Sequence, residues 1–91
     1  MQSVRNSSMI NVLFFAHLSE LANTHSLELQ FTEPKTVEVL LDDLNAHVPT
    51  TLIDQLKEQT AMVSINQRYA TWQSVVNDGD ELAFLPPVSG G

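Results

Sequence analysis

The chain has 91 residues, of which 43% are hydrophobic, and it carries a formal net charge of -7. This length suits one small domain with a single core, and the acidic balance argues against nucleic acid or an anionic membrane as a partner. No apolar run approaches the ~20 residues of a membrane-spanning helix and no secretory signal is present, so we expect a cytoplasmic protein.

The first elements are two strands joined by a short helix. Residues 1–8 are polar and predict a disordered extension. Residues 9–16 predict a strand whose alternate apolar side chains face the core. Residues 17–22 predict a short helix, and the strict alternation of residues 27–31 indicates a second strand.

The main helix follows a proline-containing break. Thr36 has the side chain of an N-cap, and apolar residues recur from Val37 at i, i+3, i+4 and i+7, which predicts an amphipathic helix. We expect Val48-Pro49 to stop this helix, because the residue before a proline avoids the helical region. The segment 50–60 is ambiguous, and its apolar spacing favours a short second helix.

The chain returns to strands in its last third. Residues 61–66 predict a third strand, residues 69–72 a short fourth strand and residues 81–85 a fifth. The turn before the fifth strand contains Gly79, which can supply a positive φ. Pro86-Pro87 should end the fifth strand, because proline lacks the backbone donor of a sheet ladder.

This order of elements predicts an α+β protein with the β-grasp, or ubiquitin-like, fold. A hairpin, a crossing helix and a returning set of strands would form a mixed sheet of four to five strands, packed by one main helix and short helices. We therefore expect one domain over residues 9–85, followed by a flexible tail over residues 86–91 that ends in Gly-Gly.

Two apolar side chains are expected on the sheet face that the helix leaves open. Phe15 shares its parity with Asn11, and Leu85 shares its parity with Glu81. If the first and last strands are neighbours, as in a β-grasp sheet, Phe15 and Leu85 lie close together. An exposed apolar patch beside a flexible tail indicates a docking surface.

The tail offers a terminal carboxyl group, rather than a side chain, for chemistry. Pro86-Pro87 would form its stiff base and Ser89-Gly90-Gly91 its slim tip. Cysteine is absent, so any sulfur chemistry on this chain must use something other than a thiol. A carboxylate is a poor electrophile and the chain has no glycine-rich phosphate loop, which implies a separate activating enzyme that uses ATP.

The sequence predicts no metal site and no bound cofactor. His17, His25 and His47 lack the spacing of metal ligands. The acidic turn around Gly79 is much shorter than a calcium-binding loop.

Three segments resemble the small, sulfur-carrying subunits of molybdopterin synthase. They are residues 9–21, which are MINVLFFAHLSEL, residues 63–67, which are VSINQ, and residues 78–91, which are DGDELAFLPPVSGG. The last segment is the most specific, and the similarity extends over residues 9–91.

The chain departs from the family pattern at three positions. Ser19 stands where members often carry a basic residue, so a salt bridge to the partner would be missing there. Asn23 stands where glycine is common, and Leu85 replaces a frequent Phe.

The resemblance implies a carrier whose C-terminal Gly91 reacts. Gly91 would be adenylated by an ATP-dependent enzyme of the ubiquitin-activating type, converted to a thiocarboxylate, and would donate sulfur to cyclic pyranopterin monophosphate. That transfer would occur in the large synthase subunit, with two non-catalytic carriers on a dimer of large subunits. The tail contacts implied in this way are Pro86, Pro87, Val88, Ser89 and Gly90, and the docking residues are Phe15, Tyr69 and Leu85.

The sequence alone leaves other functions open. A thiamine-type sulfur carrier shares the fold and the Gly-Gly end, although Pro86-Pro87-Val88 favours the molybdopterin branch. A protein tag would join Gly91 to lysines of other proteins. A β-grasp binding module with an inert tail would use only the folded domain.

Overall fold

Seven strands and three helices are formed by residues 8–87, the part of the chain that the computed structural model describes. In chain order they are β1 (Met9–Phe14), α1 (His17–Ala22), β2 (Ser26–Gln30), β3 (Lys35–Thr36), α2 (Val37–Leu44), α3 (Thr50–Lys57), β4 (Met62–Ile65), β5 (Arg68–Ala70), β6 (Val75–Val76) and β7 (Glu81–Leu85). Five strands form one sheet in the order β2-β1-β7-β4-β5, while β3 pairs with β6. This mixed sheet with its helices confirms the predicted α+β, β-grasp fold.

Strand β7 lies at the centre of the large sheet. It runs parallel to β1, with Phe14 opposite Phe84, and antiparallel to β4, with Val63 opposite Phe84. Strands β1 and β4 pair antiparallel with the edge strands β2 and β5. The first and last strands are therefore neighbours, as the sequence predicted.

The core lies between one face of the sheet and the helices. Phe84 stacks on Phe14 with ring centroids 6.0 Å apart, and on Trp72 with centroids 5.8 Å apart. We call these three rings the aromatic stack. Trp72 is partly buried, whereas Phe14 and Phe84 are fully buried. The remaining large side chains that are fully buried are Ile10, Val12, Leu18, Leu29, Leu41, Leu44, Leu52, Ile53, Leu56 and Leu82.

Thr36 caps α2, as predicted. Its Oγ1 accepts a hydrogen bond from the backbone N–H of Val39 at 3.2 Å, which satisfies one of the free donors at the start of the helix. The predicted apolar stripe of α2 is buried, namely Val37, Leu40, Leu41 and Leu44. The amphipathic pattern therefore decides how this helix packs on the sheet.

Helix α2 ends at Leu44, four residues before the Val48-Pro49 stop that the sequence suggested. The backbone N–H groups of Ala46 and His47 bond to carbonyls three residues earlier, at 3.3 and 2.9 Å. Hydrogen bonds of the 3₁₀ type therefore replace the α-helical ones before the chain reaches Pro49. The ambiguous segment after Pro49 forms α3. Within residues 8–87, no helix is long and apolar enough to cross a membrane.

Strands β3 and β6 are missing from the sequence prediction. They pair antiparallel, with Lys35 opposite Val76 and Thr36 opposite Val75. Each strand has only two residues, which is too short for an alternating pattern to be visible. The pairing attaches the start of α2 to the segment before β7, where the Val37 N–H donates to the Ser74 carbonyl at 3.0 Å.

Both predicted terminal segments fall largely outside the described residues. Of the extension predicted over residues 1–8, only Ser8 is described, and its carbonyl accepts a hydrogen bond from the Phe31 N–H at 2.9 Å. Of the tail predicted over residues 86–91, the described residues are Pro86 and Pro87.

Candidate functional site

A groove of about 370 Å³ lies on the sheet face that points away from the helices. Phe15, Tyr69 and Leu85, the three docking residues expected from the sequence, all line it. The remaining lining residues are Leu13, Ser64, Gln67, Glu81 and Ala83. We call it the open-face groove. The structure brings the expected residues together, while their docking role stays a prediction.

One cross-strand row forms the floor of this groove. Leu13 pairs with Ala83, Ala83 with Ser64, and Ser64 with Tyr69. Because directly paired residues point to the same side of a sheet, these four side chains share the open face. The two central side chains are small and the outer two are large, so the row is concave. Ala83 is only 4% exposed although it faces outward, because its methyl group lies at the bottom of the row.

The apolar end of the groove lies where β7 ends. The backbone N–H of Phe15 donates to the Phe84 carbonyl at 3.1 Å, which extends the parallel pairing of β1 and β7 by one step. Phe15 is 44% exposed and Leu85 is half-buried. The prediction that these two side chains lie together on the open face is confirmed.

A strained turn holds Phe15 at this end. Ala16 has φ 54° and ψ -135°, a backbone conformation that glycine adopts far more readily than alanine. The Leu18 N–H closes the turn on the Phe15 carbonyl at 3.1 Å. The Ser19 hydroxyl donates to the Ala16 carbonyl at 2.7 Å, and its N–H donates to the same oxygen at 3.0 Å. Ser19 is therefore committed to its own turn, and it is only 8% exposed.

The opposite end of the groove is polar and held by Asn66. Asn66 and Gln67 have φ 54° and 68°, as in the two-residue type I′ turn of a tight hairpin. The Asn66 side chain accepts from the Glu81 N–H at 2.9 Å and donates to the Asp80 carboxylate at 2.9 Å. Its backbone N–H donates to the Glu81 carbonyl at 2.8 Å. We call these three bonds the Asn66 clamp, and they fix the start of β7.

The turn that leads into β7 has the predicted conformation. Gly79 has φ 83°, and its N–H donates to the Met9 carbonyl at 3.0 Å. The Asp80 carboxylate accepts from the Asn77 N–H at 2.7 Å, which closes the turn on itself. The start of β7 is thus positioned on one side by the bond from Gly79 to Met9 of β1, and on the other side by the Asn66 clamp.

The salt bridge found within residues 8–87 lies away from the groove, between β3 and α2. Lys35 Nζ is 2.7 Å from Asp43 Oδ2. This hydrogen bond raises the pKa of Lys35 above its usual 10.5; partial desolvation of the ammonium opposes the shift, and the charges of Asp43 and Glu33 reinforce it. Glu81, the acid of the groove, forms no salt bridge with the described residues.

The C-terminal residues that the family resemblance identifies as reactive lie outside the described part of the chain. Val88, Ser89, Gly90 and Gly91 lie outside residues 8–87, so their predicted roles stay predictions. Pro86 is half-buried and Pro87 is exposed. Strand β7 leads from the groove directly into these two prolines.

Ser64, Gln67 and the Asn66 clamp were not predicted from the sequence. The alternation of β4 places Ser64 on the same face as Tyr69 of the next strand, so parity and hairpin register would have located it. Gln67 could have been located by its place in the hairpin turn. The clamp depends on side-chain contacts between distant residues, which no local pattern carries.

Comparison with known proteins gives a consistent result. Residues 12–91 match the model of the ThiS family. The chain is 37% identical over 83 residues to the molybdopterin synthase sulfur carrier subunit of Escherichia coli, a match that covers 91% of this chain and 100% of that protein. This agrees with the resemblance found in the sequence.

Solved structures share the fold. Small archaeal modifier protein 1 of Haloferax volcanii has a TM-score of 0.73 at 25% identity, covering 89% of this chain and 99% of that one. Urm1 from Trypanosoma brucei has a TM-score of 0.65 at 28% identity, covering 97% and 100% of the two chains. From the family match over most of its length and from these relatives, the chain belongs to the ThiS family.

Proposed function

We propose that this chain is the sulfur-carrier subunit of a molybdopterin synthase and that Gly91 carries the sulfur as a thiocarboxylate. The observation that carries the proposal is the course of β7, which runs along the floor of the open-face groove and leads through Pro86-Pro87 to Gly90-Gly91. The similarity to the E. coli carrier subunit over its full length supports it.

The chemistry begins with a step that this chain does not supply. A terminal carboxylate is ionised at neutral pH and resists attack, so a separate enzyme would adenylate Gly91 with ATP. Hydrosulfide would then attack the acyl carbon and form the C–S bond as the C–O bond to AMP breaks, which leaves a thiocarboxylate and free AMP. Since the chain has no cysteine, the sulfur cannot pass to a side-chain thiol of the carrier.

The open-face groove is the proposed docking surface for the large subunit. Tyr69 is 75% exposed, and exposed aromatic and aliphatic side chains around a concave centre are typical of protein interfaces. Phe15 and Leu85 lie at the end of the groove next to the tail. Docking there would direct the tail toward the partner's active site.

The length of the tail fits this role. Six residues follow Leu85. A fully extended segment of that length reaches roughly 20 Å. The carrier would therefore place Gly91 in an active site well inside the partner while the folded domain stays on its surface. There the sulfur would pass to cyclic pyranopterin monophosphate, with two carriers bound to a dimer of large subunits.

The proposal is tested by deleting Gly91 and measuring sulfur transfer. Purified carrier, activating enzyme, ATP and a sulfur donor should give a mass increase of one oxygen-to-sulfur exchange, and the large subunit should then convert cyclic pyranopterin monophosphate. The variant without Gly91 should show neither reaction but should unfold at the same temperature as the wild type. A variant without residues 1–7 is the matched truncation and should react normally. Full transfer by the Gly91 deletion would refute the proposal.

A second function is favoured by one observation. The fold matches that of a small archaeal modifier protein. A modifier would join Gly91 to a lysine amine of another protein through an amide bond. Covalent adducts of the carrier in cell extracts, lost when Gly91 is deleted, would support this function, whereas free thiocarboxylated carrier supports sulfur transfer.

A further inference from the structure

The centre of the open-face groove is lined by small side chains, whereas large side chains stand on either side of it. Ala83 and Ser64 occupy the two central positions of the row, between Leu13 and Tyr69. Neighbouring strands lie about 4.8 Å apart, so these two outer residues stand about 14 Å apart across the sheet. The resulting space of about 370 Å³ lies in the lower part of the ~300–1,000 Å³ range of ligand-sized pockets. We call the part above Ala83 and Ser64 the central trough.

The groove is apolar along most of its length and acidic at one end. Most of its large side chains are aliphatic or aromatic, and they include Phe15 and Leu85 at the end next to the tail; Gln67 and Glu81 are the polar exceptions. Glu81 lies two residues before Ala83 on the same strand and the same face, which places it about 7 Å along the groove. Its carboxylate pairs with no cation of residues 8–87.

We propose that the central trough receives one bulky apolar side chain of the large synthase subunit, and that Glu81 pairs with a Lys or Arg of that subunit about 7 Å away. This inference rests on the proposed function and states how the partner would be recognised. A side chain seated over Ala83 and Ser64 would be enclosed by the walls of the groove. Fully desolvated central positions of this kind dominate the binding energy of interfaces.

The charge pattern favours this partner over a second copy of the chain. Two copies meeting groove to groove would offer each Glu81 a facing groove whose lining residues include no Lys or Arg, and would bring together two proteins that each carry a net charge of -7. Like charges across an interface oppose association, whereas a basic partner is attracted and oriented. The ion pair between Glu81 and the cation of the large subunit would set how the two proteins are oriented. The apolar side chain in the central trough would supply most of the binding energy.

The sheet offers a matched pair of substitutions. Ser64→Leu fills the central trough from its floor. Ser26→Leu makes the same change at an exposed position of the same cross-strand row, because Ser26 pairs with Leu13 on the other side. Ser26 does not line the groove. Binding of each variant to the purified large subunit can be measured by titration calorimetry.

We expect Ser64→Leu to weaken binding at least about tenfold, with Ser26→Leu close to the wild type. Ser64→Ala keeps the trough small while removing the hydroxyl group, so its affinity should stay within about twofold of the wild type. Glu81→Gln should slow association at low salt, and this difference should vanish at high salt because screening removes it. Thermal melts establish that each variant is folded, and Ser64→Val, a smaller change, replaces Ser64→Leu if the latter does not fold.

The outcomes separate this inference from the proposed function. If the wild type does not bind the large subunit, the proposed function fails. If the wild type binds and Ser64→Leu binds as tightly as Ser26→Leu, the trough proposal is overturned while the proposed function stands. If the carrier alone associates with itself and Ser64→Leu abolishes this, the occupant is a second copy and the proposal is also overturned.

Discussion

The Asn66 clamp gives the most direct test of how the groove is held in shape. Asn66→Ala removes both side-chain bonds, the one from the Glu81 N–H and the one to Asp80. It also leaves alanine at a φ of 54°. Asn66→Gly removes the same bonds but accepts that backbone conformation without strain. Comparing the two variants separates the hydrogen bonds from the backbone strain.

The expected losses follow from these contacts. Both bonds are exposed to solvent, so each should contribute about 0.5–1 kcal/mol, at the low end for protein hydrogen bonds. Alanine in the left-handed region should add about 1 kcal/mol. We therefore expect a loss of about 1–2 kcal/mol for Asn66→Gly and about 2–3 kcal/mol for Asn66→Ala. At 4–8 °C per kcal/mol for a domain of this size, Asn66→Ala should lower the melting temperature by about 8–24 °C.

Urea unfolding followed by circular dichroism measures these differences. Asn45→Ala is the matched control, because Asn45 has a right-handed φ of -58° and makes no side-chain hydrogen bond among residues 8–87. It should change stability by less than about 0.5 kcal/mol. Equal stability of Asn66→Ala and the wild type would show that the Asn66 clamp does not contribute to the free energy of unfolding. Equal losses in Asn66→Ala and Asn66→Gly would refute the contribution of strain.

Asn66→Asp probes the same clamp through pH. The aspartate keeps an oxygen for the Glu81 N–H, but it places a second carboxylate about 2.9 Å from that of Asp80, where the amide nitrogen stood. Like charges raise the pKa of the pair in the folded state. The stability of the variant should therefore be nearest to that of the wild type at acid pH and fall as the pH rises through the raised pKa. A deficit that does not change with pH would contradict this reasoning.

Three further changes test other parts of the structure. Phe84→Ala should lower the free energy of unfolding by about 3–5 kcal/mol, because the ring is fully buried in the aromatic stack; urea unfolding would show it. The pKa of Lys35 is raised by Asp43, so their pairing stabilises the protein below pH 10.5 and is lost as the pH rises through the folded-state pKa. The melting temperature of Lys35→Met should therefore approach that of the wild type as the pH rises through that alkaline range. Lys57→Met is the control, because the salt bridge to Asp43 uses Lys35, and its difference from the wild type should not shrink in this way. Ala16→Gly should raise the free energy of unfolding by about 1 kcal/mol by relieving strain, and an unchanged melting temperature would argue against strain there.

Much of the fold could be predicted because it depends on local patterns. The cap at Thr36 and the apolar stripe of α2 were predicted because each depends on residues only a few positions apart in the sequence. Helix α1 was predicted over its full extent, and it is followed by the C-cap Asn23, whose left-handed φ of 63° asparagine tolerates. By contrast, β3 and β6 pair residues about forty positions apart in two-residue strands, and nothing local signals them.

The candidate site was predicted in part for the same reason. Parity placed Phe15 and Leu85 on the open face, and the fold then brought them together. Ala83 shares the parity of Leu85, but its near-complete burial depends on the larger side chains of neighbouring strands. The Asn66 clamp spans 14 to 15 residues and requires a particular turn conformation, so it became visible only in the structure.

Strand β7 has two roles that the geometry makes inseparable. Its Leu82 and Phe84 side chains face the core, while Glu81, Ala83 and Leu85 face the groove. A slip of one residue in its pairing would exchange the two sets, burying a carboxylate and exposing a phenylalanine. The hydrophobic core therefore fixes the register of the groove floor, and the Asn66 clamp fixes it again at the start of the strand. Because the same strand continues into Pro86, the origin of the tail is set relative to the groove by the folding of the core, and a partner seated on the groove would meet the tail at a defined position.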